Sequence, residues 1–167
     1  MVEFDTSKIG YSLKLDGKYY NTLDIEGFSH MMKDPSYCYK FYWLEAIVQL
    51  IAEGIKETTF DAVIDEMICN AWYSVREFHI HLSGMPIDGQ VKDGLERAVS
   101  KLSELSNLPA NASKVEIKNA IKKYALELKT SKEQLTNMVP YRALAGFFDR
   151  DGRTSRLGKR TANDGIY

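Results

Sequence analysis

Apolar positions along this chain recur at helical spacing over most of its length, and almost nowhere with the alternation of a strand. The clearest stripe is Phe60, Val63, Ile64, Met67, Ile68, Ala71, Trp72 and Val75, an i, i+3, i+4, i+7 series over four turns. Thr58 or Thr59 supplies a cap before it, and Asp61 suits the positive end of the helix dipole. This helix is expected to end near Glu77. Before it, Ser36 to Ala52 is apolar on most sides, as expected of a helix in the centre of a bundle, and Gly54 suits its C-terminal end. A shorter helix is expected from Thr22 to Met32, broken at Asp34-Pro35-Ser36.

Ser83-Gly84-Met85-Pro86 and Asp88-Gly89 mark a loop. A fourth helix follows from Gln90 to Leu105, with Val91, Leu95, Ala98, Val99 and Leu102 on one face, and Asn107-Leu108-Pro109 ends it. Ser113 and Glu116 have capping-box spacing and open a fifth helix, with Ile117, Ala120, Ile121, Tyr124, Ala125 and Leu128 inward. Two short helices complete the pattern. One opens at Ser131 and reaches Asn137, and one runs from Tyr141 to Phe148 with Pro140 in its first turn. The first residues differ from the rest. Tyr11, Leu13 and Leu15 alternate with polar residues before Asp16-Gly17, which fits either a short hairpin or an irregular arm. The expected fold is all-α: one bundle of six or seven helices (23–148), an N-terminal arm or hairpin (1–22) and a basic tail or linker (149–167).

Composition adds limits rather than a function. The chain has 167 residues, 44% hydrophobic and 27% charged, ordinary for one globular domain. A chain of this length buries roughly 70% of its unfolded surface, so no disulfide or metal is needed to hold a core. Collagen-like, disordered, disulfide-scaffold and strongly basic classes are excluded. Cys38 and Cys69 lie in apolar helical patterns and read as free thiols in a reducing compartment. The start has no basic-then-apolar leader, and Lys40, Glu45, Gln49 and Glu53 interrupt the longest apolar stretch. A cytoplasmic protein without a membrane partner is the expectation.

The net charge of -1 conceals a gradient. Residues 1–70 carry 6 basic and 12 acidic side chains, whereas residues 140–167 carry 6 and 3. Any polyanion is therefore expected at the C-terminal end, where Arg142, Arg150, Arg153, Arg156, Lys159 and Arg160 are the candidate nucleic-acid contacts. The aromatic run Tyr37, Tyr39, Phe41, Tyr42, Trp43 has the residue types that stack on bases, but its density favours a core role. Trp72 reads the same way, with Tyr73 at the margin.

Other chemistry is thin. His79 and His81 would share one face of a strand, yet a metal site requires further ligands, and His30 is the only other histidine. Asp149-x-Asp151-Gly152 starts like a calcium loop, but Thr154 and Arg160 stand where glycine and glutamate are required. There is no phosphate-binding glycine loop and no nucleophile elbow. No catalytic residue and no cofactor is assigned to this chain.

Three segments together resemble a known family: Pro35-Ser-Tyr-Cys-Tyr-Lys-Phe-Tyr-Trp-Leu44, Met67-Ile-Cys-Asn-Ala-Trp-Tyr73 and Val139-Pro-Tyr-Arg-Ala-Leu-Ala-Gly-Phe-Phe148. They are similar to the N-terminal helical region of bacterial proteins that carry an HNH endonuclease domain further along the chain. The resemblance spans about Phe28 to Phe148. It implies that a histidine base and a divalent metal would follow this region. The 19 residues after Phe148 contain no histidine, so the resemblance assigns no catalytic residue here, and a divalent metal is expected only if such a domain follows. The expectation is a fragment of a longer protein, or else a short relative without the nuclease. The function expected is a non-catalytic helical module that positions a DNA-cleaving protein on DNA, with Arg142 and the basic segment touching phosphates. The alternatives are a protein-interaction or homo-oligomerising module and, ranked last, a metal enzyme using His79 and His81.

Overall fold

A computed structural model describes residues 22–32, 38–83, 91 and 93–148 of the chain. Among these residues the fold is all-helical, with six helices and no strand: α1 (Ile25–Met32), α2 (Tyr39–Ala52), α3 (Phe60–Arg76), α4 (Gly94–Ser106), α5 (Lys114–Lys123) and α6 (Ala125–Phe148). The expected N-terminal hairpin and the basic tail lie outside the described residues.

The capping chemistry fixes where most helices start. Asp24 accepts from the Gly27 N–H (2.8 Å) and opens α1, two residues later than the expected Thr22. Thr59 accepts from the Ala62 N–H and opens α3. Asp93 accepts from both the Leu95 and Glu96 N–H groups, so α4 begins at Gly94 rather than Gln90. Ser113 and Glu116 form the reciprocal capping box before α5. Each such cap satisfies helix N–H groups that have no partner within the helix, typically worth about 1 kcal/mol.

The Glu116 cap also makes stability pH-dependent. Hydrogen bonds from the Ser113 hydroxyl and N–H hold its carboxyl below the ordinary glutamate value of 4.5. A lowered folded value means that the contribution is present above the unfolded value and disappears as pH falls through the folded one. Glu116→Gln keeps a side chain able to accept from the Ser113 N–H. Its melting temperature is therefore expected to converge on that of the parent as pH drops from 5 towards 3, and a constant gap over that range would refute the linkage.

The central helix is α3, not α2. Val63, Ile64, Met67, Ile68, Ala71 and Trp72 are all buried, and α3 packs against α2, α4, α5 and α6. By contrast α2 buries only Tyr39, Trp43, Ala46 and Leu50, and leaves Phe41, Val48 and Ile51 exposed. Its apolar character on all sides is therefore not matched by burial on all sides. The aromatic run accordingly divides, with Tyr39 and Trp43 in the core and Phe41 outside. Trp72 is buried and Tyr73 exposed, as the spacing predicts.

The C-terminal half departs furthest from the expected pattern. The fifth helix stops at Lys123, where Tyr124 turns away from helical geometry (φ -106°, ψ 31°). The two short helices expected beyond it are one helix, α6, which touches every other helix of the described residues. Its buried positions are Leu128, Lys132, Leu135, Val139 and Ala143. That spacing is an unbroken helical stripe. A lysine in the middle of the stripe hides it from a hydrophobic pattern. Lys132 is neutralised in place by Asp61 (2.8 Å) and Asp65 (2.6 Å) of α3. Burial alone would lower its pKa, but the two carboxylates outweigh burial and hold the ammonium above its ordinary value. Pro140 is also buried within α6. It donates no hydrogen bond to the Thr136 carbonyl, a loss that ordinarily costs about 3 kcal/mol or more in a helix interior. Packing against five helices is what offsets it.

Candidate phosphate-binding cavity

Of the six candidate nucleic-acid contacts, Arg142 alone lies within the described residues; Arg150, Arg153, Arg156, Lys159 and Arg160 lie outside them. Arg142 is exposed on α6 and lines a cavity of about 300 Å³ between α2, α4 and α6. Arg97 of α4 lines the same cavity. The two arginines are brought together because α4 begins close against α6. A Cβ on Gly94 would lie 3.2 Å from Leu135 Cδ2, so the glycine permits this approach.

The polar lining of the cavity is ordered by the start of α4. Asp93 is buried, and its Oδ1 accepts from Leu95 N–H (2.8 Å) and Glu96 N–H (3.0 Å). Burial pushes its carboxyl above the ordinary aspartate value, against the opposing pull of those hydrogen bonds and of Arg97. Arg97 Nη1 donates to the Val91 carbonyl (3.1 Å), which holds the guanidinium at the rim. Tyr39, Leu135 and Met138 supply apolar lining. Arg97 and Arg142 bring positive charge to the cavity lining, while the first N–H groups of α4 are already taken by the Asp93 carboxylate.

The pairing of Arg97 with Arg142 is not legible from the sequence. Arg97 lies 45 positions from Arg142 and reads as an ordinary polar residue on the wet face of its helix. Only the close approach at Gly94 identifies it.

The two histidines do something different from the shared-metal arrangement. His79 and His81 are not in a strand. His79 has a positive φ of 51°, a conformation that histidine adopts more readily than most residues. It reverses the chain after α3, so that the Ile80 N–H reaches the Ser74 carbonyl (3.2 Å). His81 Nδ1 lies 2.8 Å from Glu96 Oε1, and the Leu82 N–H donates to Glu96 Oε2 (2.9 Å). A carboxylate can only accept, so Nδ1 carries the hydrogen in that bond. Buried Glu96 thus fastens residues 81–82 to α4. Among the described residues no group of three or more His, Cys, Asp or Glu side chains gathers as a metal site would require.

A third polar cluster joins α2, α3 and α5. Glu66 is buried on α3 and is paired with Lys118 and with Lys114 (2.6 Å), while Lys114 also reaches Glu53 (3.1 Å) and Gln49 (3.2 Å) of the α2 end. Cys69, one turn from Glu66, has its thiol pushed up to about 12 by burial and by the Glu66 charge. At neutral pH it is a protonated, poorly nucleophilic thiol. Neither cysteine is in a disulfide.

The chain matches no known protein-family model, and neither curated proteins nor solved structures include a significant match to it. No helix among the described residues is long and apolar enough to cross a membrane.

Proposed function

We propose that this chain is a non-catalytic helical module that contacts nucleic-acid phosphates and positions a DNA-cleaving protein of the HNH type on DNA. The observation that carries this reading is the joint placement of Arg97 and Arg142 at one cavity. The chain beyond α6 adds Arg150, Arg153, Arg156, Lys159 and Arg160 within eleven residues, with Asp151 the only acid among them. Phosphate contacts of this kind fix position and orientation and carry no sequence preference.

A salt titration of duplex and single-stranded DNA binding tests the proposal. Each phosphate contact contributes a slope of about -0.9 in log affinity against log salt for duplex DNA. Arg97→Gln/Arg142→Gln is expected to flatten that slope by roughly 1 to 2 units. Absence of binding by the full chain at low salt would overturn the DNA role.

One observation favours a second reading, a protein-interaction module. Phe41, Val48 and Ile51 are exposed on α2 at i, i+7 and i+10, with half-buried Leu44 between them. An apolar stripe at that spacing matches the seam of a helix that packs on another helix. Sedimentation at several concentrations separates the two readings, because a strict monomer that binds DNA removes the second.

A further inference from the structure

We infer that the exposed face of α2 docks a second copy of this chain, as two parallel α2 helices related by a two-fold axis. The inference rests on the protein-interaction reading above and names the partner and the direction of packing.

The apolar seam carries the argument. Tyr39, Trp43, Ala46 and Leu50 form the buried face of α2. Phe41, Leu44, Val48 and Ile51 recur at spacings of three, four and three residues, on the nearly opposite side of the same helix. Phe41, Val48 and Ile51 are 42%, 55% and 65% exposed, and Leu44 is half-buried. Single exposed apolar residues are ordinary, but a continuous strip along one helix marks a contact surface. The spacing is that of a heptad, with Phe41 and Val48 at a and Leu44 and Ile51 at d. In the middle of the seam, β-branched Val48 at a and Leu44 at d are the residue types that favour two parallel strands.

The residues bordering the seam select the partner. Lys40 and Ile47 stand at g, and Glu45 and Ala52 at e. In a parallel pair, a g residue lies beside the e residue five positions on in the other helix. Lys40 then meets Glu45 of the second copy, and two-fold symmetry makes the contact twice. Ile47 meets Ala52, which widens the apolar strip. An antiparallel pair brings g against g and e against e, so neither charge gains its opposite. Both groups already have contacts within the chain. Lys40 Nζ donates to the Met31 carbonyl (3.3 Å), and Glu45 Oε1 accepts from Gln49 Nε2 (3.4 Å). An ammonium has three N–H donors and a carboxylate several acceptor sites, so the pairing adds to those contacts. The seam supplies the attraction, and the charges set its direction. Its four side chains offer roughly 300 Å² per copy, well below the ~800 Å² that each partner gives to a standard interface, so the dimer is expected to be weak.

Sedimentation equilibrium of the full chain at low salt, from about 1 to 500 µM, tests the inference. A monomer–dimer equilibrium with a midpoint of about 10 to 100 µM is expected. Val48→Gln, on an exposed residue, is expected to weaken it about tenfold or more, while the thermal transition of the dilute protein stays in place. Lys40→Glu and Glu45→Lys are each expected to weaken it about tenfold, because two symmetry-related pairs turn repulsive at once. Mixed in equal amounts, these two variants are expected to form a heterodimer of parental affinity. One chain then carries acids at both bordering positions and the other carries bases. Loss of the Met31 contact alone would not be repaired by mixing. A mixture that stays as weak as its components would overturn the parallel pairing. A dimer that survives Val48→Gln and both charge reversals would overturn this inference and leave the protein-interaction reading standing. A monomer over the whole range would also overturn it, and a monomer that binds DNA would remove the interaction reading as well.

Discussion

Replacing Lys114 and Lys118 together with methionine is expected to destabilise the fold by about 3 to 5 kcal/mol at neutral pH. The reason is the asymmetry of the cluster. The Glu66 side chain is 2% exposed, whereas those of the two lysines are about one-third exposed. Removing the lysines leaves a carboxylate inside the bundle with nothing to neutralise it, and water cannot reach it. Removing the carboxylate is different, because both ammonium groups sit close enough to the surface to be hydrated. Glu66→Leu is thus expected to cost less than the lysine double variant, since the ammonium groups it leaves unpaired are about one-third exposed and can be hydrated. Adding Glu66→Leu to the lysine double variant is expected to restore most of the lost stability. Urea denaturation of the four proteins measures all of this. A double variant as stable as the parent would show that Glu66 needs no counter-charge.

The second large effect is expected at Trp72. Its side chain is buried near the C-terminal end of α3, and the indole N–H donates to the Pro109 carbonyl (3.1 Å) in the segment that links α4 to α5. Trp72→Ala removes the packing and the bond together, and is expected to cost about 3 to 5 kcal/mol. For a chain of this size that corresponds to a fall in Tm of roughly 10 °C or more. Trp72→Phe keeps most of the apolar volume and loses the donor, so about 1 to 2 kcal/mol is expected. The guanidinium of Arg76, 5.9 Å above the Trp72 ring, stays over an aromatic face in that variant. If both variants lost the same stability, the hydrogen bond rather than packing would be the main contribution of this residue.

How far the sequence was legible depends on whether each helix declares itself locally. The α3 stripe, the Thr59 and Ser113 caps and the left-handed Asn107 that ends α4 (φ 53°) are all short-range features, and the chain follows them. The two largest departures, at α6 and α2, are settled by what distant parts of the chain bring to, or leave off, each helix. Lys132 occupies a core position only because Asp61 and Asp65, far back in the sequence, meet it there. Without them it interrupts the stripe, and α6 looks like two short helices around Pro140. The all-apolar α2 looks central, but a helix can be apolar on a face the rest of the domain does not cover, and Phe41, Val48 and Ile51 are on such a face.

The site divides along the same line. Arg142 stands out in the sequence because it belongs to a basic C-terminal region. Arg97 does not, because charge and periodicity describe it as one more solvated residue, and neither encodes that Gly94 lets α4 approach Leu135 of α6. The His81 to Glu96 pairing has the same origin, since a reversal at His79 sets the ring beside a buried carboxylate fifteen positions away.

By itself, then, the sequence determined the helical class, most of the helix starts and the acidic-to-basic gradient, all of which follow from neighbours a few residues apart or from composition. Only the tertiary structure decided which helix is central, that α6 is continuous through a buried lysine and a proline, and that two arginines 45 positions apart share one cavity. Those outcomes depend on long-range packing and charge pairing, where the stabilising partner is absent from the local pattern.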